Sequence, residues 1–524
     1  RNRLLRAIAA HWKKSPPQTP VIAAGTTGSI PATAELLHTI IGLPQGRVIL
    51  PGLDQDMDAA SWHALDESHP QYLLKNLLHR FEQEREQIPL WPTTQNDTAK
   101  PRRLLATEIM RPPATTDQWA KTLPGDKLAQ QNIKAALGNL HLLHCTNERE
   151  EATAIAILLR QSLAIPDQKA VLITPRRSLA HRVIAACRRW NITLDDSAGR
   201  ALDQTEAGIF LRLSAEAIAR DFSPVALLAL LKHPRSKFKE QARALDLEIR
   251  GTRPAPEKLY EKITDKITPD LDPLMRRITN ESRHTNLFKF NELLVMHLDL
   301  CERLSPTPDA LWQNEDGEAA ALFLTELKEY APLLPEITKT EYCGILDTLL
   351  ITIPVRSAFG GHPRLKILGQ LEARMTDADL VIMAGLNEKT WPPDPGFDPW
   401  MSRPMRKEFG LPAAERSIGL AAHDFIQGFC APNTVITRSE RQDGAPTVPA
   451  RWLQRLTAVL EAAGIDKNTI LSSPAIHWAN ALDETTPAPP LRRPEPRPPL
   501  NARPQKISVT QVEKWQKDPY SIYA

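Results

Sequence analysis

The sequence has almost no surplus of charge, few cysteines and no long apolar run, and each absence removes a class of protein. Lys plus Arg number 65 against 62 for Asp plus Glu, a net charge of +3. No global field therefore attracts nucleic acid, and any DNA path must be a local basic surface. The five cysteines, Cys145, Cys187, Cys301, Cys343 and Cys430, lie far apart and form no C-x-x-C pair. That spacing excludes a zinc ribbon or a local disulfide framework and fits a reducing cytoplasm. No apolar run approaches the ~20 residues a membrane helix needs, and the charged opening RNRLLRAIAAHWKKSP is unlike a signal peptide, so a cytoplasmic protein with no membrane contact is expected. No repeat of fixed period is visible, which disfavours a solenoid. There is also no G-x-x-x-x-G-K-[ST] phosphate loop.

What is present reads as a modular α/β chain. At 524 residues it is too long for one core. PVIAA (20 to 24) and RVILP (47 to 51) are short apolar runs bounded by Gly and Pro, with the helix-like ATAELLHTIIG between them. Residues 70 to 90 and 125 to 145 read as helical. EREEATAIAILLRQSL then keeps an apolar face at Ile155, Leu158, Leu159 and Leu163, the strand KAVLITP follows, and Leu179, Val183, Cys187 and Trp190 recur at helical spacing after it. From about Ser236 to Tyr342 the pattern is nearly all helical. Strand signals return in LKIL, DLVIMAGLNE and NTVITRSE. TPAPPLRRPEPRPPLNARP, from 486 to 504, predicts an extended linker. Beyond it, Ser508 and Gln511 have capping-box spacing, so a helix starts there and must end by Pro519. The first residue is Arg, the last residues stop without a tail, and both ends look like cuts.

Several segments in order resemble the AddB subunits of bacterial helicase-nucleases, in the alphaproteobacterial version. They are PVIAAGTTGSIPATAELL, RVILPGLD, SWHALDESHPQYLL, VLITPRRSLAHRV, DDSAGRALDQTEAGIFLRL, LLALLKHPR, ILGQLEARMTDADLVIMAGLNEKTWPPDPGFDPWMSRPMRKEFGLP, ERSIGLAAHDF, TRSERQDGAPTVPARWL and ISVTQVEKWQKDPYSIYA, which run from residue 20 to the end. The resemblance implies superfamily-1 helicase-like RecA-type domains, degenerate here, with helical insertions, followed by the first helix of a PD-(D/E)XK nuclease domain. It divides the chain into a partial helicase-like region (1–145), a second RecA-like domain in two parts (146–240 and 351–485), a helical insertion (241–350), a Pro-rich linker (486–506) and a truncated nuclease start (507–524). It further implies a subunit that processes DNA double-strand breaks beside an AddA-type partner, which uses most of the ATP, and Mg²⁺ in a nuclease domain whose catalytic residues lie beyond Ala524. Some relatives carry a Cys-Pro-Phe whose Cys ligates an iron-sulfur cluster. Asp518, Pro519 and Tyr520 stand there instead, so no cluster is expected.

Chemistry within the chain is sparse. Gly25 and Gly28 in AAGTTGSIP read as a structural turn, since Ile30 stands where a phosphate-binding cation is wanted. Asp66 and Glu67 mimic a Walker B pair but sit at a helix end before Pro70, and read as solvated. His69, His233 and His362 each precede a proline and read as turn or core residues. The candidate DNA contacts are Arg176 and Arg177 after a strand, Arg374, the loop residues Asn387, Lys389 and Trp391, and Arg403 and Arg406. Arg176 and Arg177 read equally as a solvated basic turn. Trp391 is a candidate for stacking on a base or for anchoring its own loop. Lys389 replaces the Gly usual in the family, at a cost of about 1 kcal/mol if the position needs positive φ. Two rival expectations stand beside the nuclease subunit: a non-catalytic DNA-binding scaffold, and an active translocase whose phosphate loop lies upstream of Arg1.

Overall fold

The computed structural model describes residues 1–91, 99–249, 275, 287–356, 361–396, 398–471, 474–484, 488, 490–491, 497 and 499–523. Two units emerge, Arg1–Ala479 and Asn480–Ala524. The first begins with α1 (Asn2–Lys14), β1 (Val21–Ala24), α2 (Pro31–Ile41) and β2 (Gly46–Ile49), β1 and β2 pairing in parallel as a βαβ unit. After these come α3 (Tyr72–Phe81), α4 (Lys100–Ile109) and α5 (Lys127–Leu137).

A six-stranded sheet then organises the rest. Its strands are β3 (Leu140–Cys145), β4 (Ala170–Ile173) and β5 (Asp195–Asp196), then β6 (Leu365–Leu368), β7 (Leu380–Met383) and β8 (Thr434–Ser439). They lie side by side in the order β3-β8-β7-β4-β6-β5, and every pairing is parallel. Parallel strands are covered on both faces, which is why β4 reads AVLI with no polar alternation. Val171 and Ile173 face one core, shared with Phe425, Trp391 and Trp452. Ala170 and Leu172 face the other, shared with Ile155, Leu159, Leu179 and Val183. The covering helices are α6 (Glu148–Leu163) and α7 (Arg177–Cys187) on the second face, and α13 (Arg416–Phe429), which follows the short α12 (Arg403–Glu408), and α14 (Arg451–Ala462) on the first. The fold is thus α/β of Rossmann-like type.

One expectation changes. LHLLHC was read with the helical stretch ending at 145, but it is β3, its residues 140 to 145 paired with β8 from Thr434 to Ser439. Six apolar-rich residues suit helix or strand alike, and pairing decided. The helices between 202 and 350 pack together. One apolar cluster runs from Leu202 to Leu350 and takes in α8 (Glu206–Ala219), α9 (Phe290–Leu304), α10 (Asn314–Tyr330) and α11 (Lys339–Leu350). Helix α8 buries Phe210, Leu211, Ala215 and Ile218 in this cluster rather than against the sheet. Sequence periodicity identifies a buried face but not the layer that covers it. Much of 250–286 lies outside the described residues.

The second unit contains α15 (Val509–Lys517), where Ser508 and Gln511 form the expected reciprocal capping box, and the helix ends at Lys517 before Pro519. Of the expected linker from 486 to 506, residues 486–487, 489, 492–496 and 498 lie outside the described residues. Among the described residues no helix is long and apolar enough to cross a membrane.

Candidate functional site

The chain leaves β4 towards β5 and leaves β7 towards β8, on opposite sides of two adjacent strands. In open parallel sheets such a divergence opens a crevice at the carboxyl ends, and ligands bind there. The segment Thr174–Arg177 emerges from β4, and Ala384–Trp391 emerges from β7.

Side chains of the same protein occupy this edge. Asn147 caps α6 by accepting from the backbone N–H groups of Arg149 and Glu150, which points the acidic first turn of α6, Glu148, Glu150 and Glu151, at the strand ends. Glu151 is 1% exposed and accepts from Gly385 N at 2.9 Å and Thr437 Oγ1 at 2.6 Å. Burial pushes its carboxyl above the usual range despite those bonds. Glu148 lies 2.6 Å from Arg176 Nη2, and Asp443 reaches the same guanidinium at 3.3 Å. Asp443 sits in a short hairpin between β8 and α14 that pairs Arg441 with Pro446. On the other side, Asn387 donates to Ser439 O at 3.0 Å and accepts from Arg438 Nε at 3.0 Å, while Arg438 also donates to Thr447 Oγ1 at 3.0 Å.

The expected DNA contacts therefore divide. Arg176 is largely buried in its ion pairs, and Arg177 pairs with Asp196. Arg374 is buried against Asp424 at 2.5 Å and adds no free charge to the loop. Asn387 is 2% exposed and belongs to the internal network. Trp391 offers no face to a base. It is 0% exposed, donates from Nε1 to Ala384 O at 3.0 Å, and packs edge-on against Phe425 and Trp452. Its role as an anchor follows from the apolar partners that α13 and α14 bring to the loop. Arg403 is exposed and pairs with Glu415 at 3.1 Å, and Arg406 pairs with Asp398 at 2.5 Å. Lys389 is exposed and does take the left-handed conformation, at φ +69°.

Sequence reasoning passed over Glu148, Glu151 and Asp443. The signal for the first two was available: an N-capping Asn after a strand, followed by ERE-E, marks a helix start that repels phosphate. It also passed over Trp400, which is 86% exposed while its neighbour in sequence Trp391 is sealed. The Gly25–Gly28 turn has positive φ at both glycines, Leu77 packs where a Gly28 side chain would go, and Arg416 donates to Ser29 O. Asp66 accepts from Ser68, and Glu67 accepts from Ala413 N. The three His-Pro turns share one geometry. The N–H two residues on donates to Nδ1 in each, from Gln71, Arg235 and Arg364. That fixes Nδ1 as an acceptor, and His69 then donates from Nε2 to Met110 O at 2.8 Å. Among the described residues no group of three His, Cys, Asp or Glu is placed to hold a metal ion.

No family model matches the chain. A protein of Rickettsia felis described as uncharacterized is 22% identical over 387 residues, which cover 72% of this chain and 42% of the relative. One from Rickettsia conorii, also described as uncharacterized, is 22% identical over 339 residues, covering 63% of this chain and 38% of the relative. The chain thus spans about two-fifths of the length of these curated relatives.

Proposed function

We propose that this chain is the helicase-like, non-hydrolysing body of an AddB-type subunit that processes DNA double-strand breaks. The observation that carries the non-hydrolysing half is the filled crevice. Glu148 and Glu151 occupy the carboxyl edge where a motor of this fold class would place phosphate-binding groups, and a phosphate arriving there would meet two carboxylates. The DNA-processing half rests on the ordered segments that resemble AddB. In this reading Lys389, Arg403 and Arg406 lie on the face that guides DNA, an AddA-type partner drives translocation, and strand cutting with Mg²⁺ belongs to residues beyond Ala524.

The test is co-purification of the full-length protein with an AddA-type partner, followed by digestion of a blunt duplex in Mg²⁺ with and without ATP. Assembly and ATP-dependent strand cutting are expected, with no DNA-stimulated ATP hydrolysis by residues 1–524 alone. Failure to assemble would overturn the assignment, and rapid ATP hydrolysis by the isolated body would overturn the non-hydrolysing half. Assembly without any cutting would favour the non-catalytic scaffold.

A further inference from the structure

The near-neutral total hides a strong local imbalance. Arg1, Arg3, Arg6, Lys13 and Lys14 precede the first acidic residue of the chain, Glu35. Five of the 65 basic residues thus lie here, which leaves 60 against 62 acidic ones in the rest. The whole positive excess of the protein is carried by α1 and its N-cap, Arg1. That is the local basic surface a DNA path requires.

Helix α1 has two faces. Leu5, Ile8, Ala9 and Trp12 recur at helical spacing and are at least half-buried, and α1 packs on α2. Arg3, Ala7, Ala10 and Lys14 follow one line on the opposite face, and all four are exposed. Arg6 and Lys13, also exposed, flank that line on one side. At 1.5 Å per residue, Arg3 and Lys14 are about 16 Å apart, roughly the rise of five nucleotides along one strand of a duplex at ~3.4 Å each. The protein does not neutralise this face. Among the described residues the side chains of Arg1, Arg3, Lys13 and Lys14 have no hydrogen-bond or ion-pair partner, and Arg6 meets Glu35 at 3.7 Å in an exposed pair. Arg176, Arg177 and Arg374, by contrast, are each committed to a carboxylate. The pattern also works against the helix itself. Arg1 and Arg3 stand at its positive pole with no acidic residue in the first turn, and Arg3 and Arg6 are like charges one turn apart. Solubility alone is served by mixed signs. A polyanion along the face offsets both penalties.

The kind of polyanion follows from what the face lacks. Entry into a bilayer needs an apolar face, and α1 has turned its own towards α2. An unpaired strand is gripped by bases stacking on exposed aromatic rings, and the indole of α1, Trp12, lies on the inward face. A straight row of cations suits a regular row of phosphates. We propose that the exposed face of α1 docks the phosphate backbone of duplex DNA, without regard to base sequence, through Arg3, Arg6, Lys13 and Lys14. This extends the DNA-processing reading, on which it rests, to a surface distinct in sequence from Lys389, Arg403 and Arg406.

Fluorescence anisotropy of a labelled duplex of arbitrary sequence with the 524-residue chain, repeated at rising salt, tests it. Affinity should fall steeply with salt. Arg3→Gln combined with Lys14→Gln should weaken binding about tenfold or more at low salt and reduce the slope of log K against log salt by about two, whatever the sequence. Both side chains are exposed and glutamine is a good helix former, so circular dichroism of the double variant should match the parent. The proposal is overturned if the parent binds no duplex or binds it without salt dependence, or if the double variant keeps the parent's affinity and slope. Tighter binding to oligo-dT or to anionic phospholipid vesicles, or equal displacement by poly-glutamate, would overturn it as well. Arg403→Gln separates the two readings. Binding that weakens in R403Q but not in the α1 variant would remove this surface and leave the DNA-processing reading standing.

Discussion

At the carboxyl edge of the sheet, Arg176 meets Glu148, Arg438 meets Asn387, and Glu151 takes its donors from Gly385 and Thr437. Beside α4, by contrast, the polar groups that line a cavity hold one another while Lys100 stands exposed at its mouth. Both places are concave and both mix acids with bases. They differ in how the polar groups are held: at the sheet edge oppositely charged side chains pair with one another, whereas beside α4 Asp54 is held by Thr107 and backbone N–H groups. A crevice whose charges pair in this way has become a structural clasp. On the reading proposed above, the clasp would hold the strand ends together without nucleotide.

The comparison can be broken most directly at the buried partners. Arg176→Ala strands Glu148 in a buried position and should cost about 3–5 kcal/mol in urea unfolding, whereas a surface DNA-contacting arginine would cost almost nothing. Trp391→Ala should cost a similar ~3–5 kcal/mol by emptying the space beside the packed rings of Phe425 and Trp452. Trp400→Ala, at an exposed position, should stay within about 0.5 kcal/mol of the parent. Equal effects for the two tryptophans would refute the anchor role of Trp391.

Acid should act next. His69, His297 and His423 are held neutral by burial, each lowered from 6.5 to about 4. His297 sits among Ser214 Oγ at 2.7 Å, Leu211 O at 2.9 Å and Tyr342 Oη at 2.8 Å in the helical core. The unfolded chain protonates first, so stability is full above about pH 6.5 and is lost as pH falls towards 4, by up to about 3 kcal/mol per histidine. Glu151 runs the other way. Its raised carboxyl favours the folded state at acid pH and loses that contribution as pH rises through its folded value. Urea midpoints measured from pH 7.5 down to 4.5 should therefore fall, and should fall less in His297→Phe than in the parent after each is normalised to pH 7.5. A flat profile would place these histidines in contact with water. The smallest expected effect is at Lys389, where Lys389→Gly relieves positive φ and should stabilise by about 1 kcal/mol, and any destabilisation would contradict the backbone reading.

Much of the frame was legible. The runs AVLI, LKIL and LVIM are short, apolar and bounded by turn residues, and each forms a strand. The capping boxes and caps at Asn147 and Ser508 act over two or three residues and are readable at that range. The candidate site was legible only in part. Arg176 and Asn387 were located correctly at strand ends, but their partners lie far along the chain. Trp391 and Trp400 look alike in a proline-rich loop, and only the helices packed over one of them separate an anchor from an exposed ring.

Local chemistry, then, suffices for what is settled within a few residues, such as a cap, a turn or a strand as apolar as AVLI, whereas LHLLHC became a strand only by pairing with β8. Whether a charge serves solvent, a ligand or a neighbour depends on contacts such as Glu151 to Gly385, 234 residues apart, and Glu151 to Thr437, 286 apart. Those pairs exist because parallel strands bring their carboxyl ends to one edge whatever their distance in sequence, and burial there makes an unpaired charge too costly to keep.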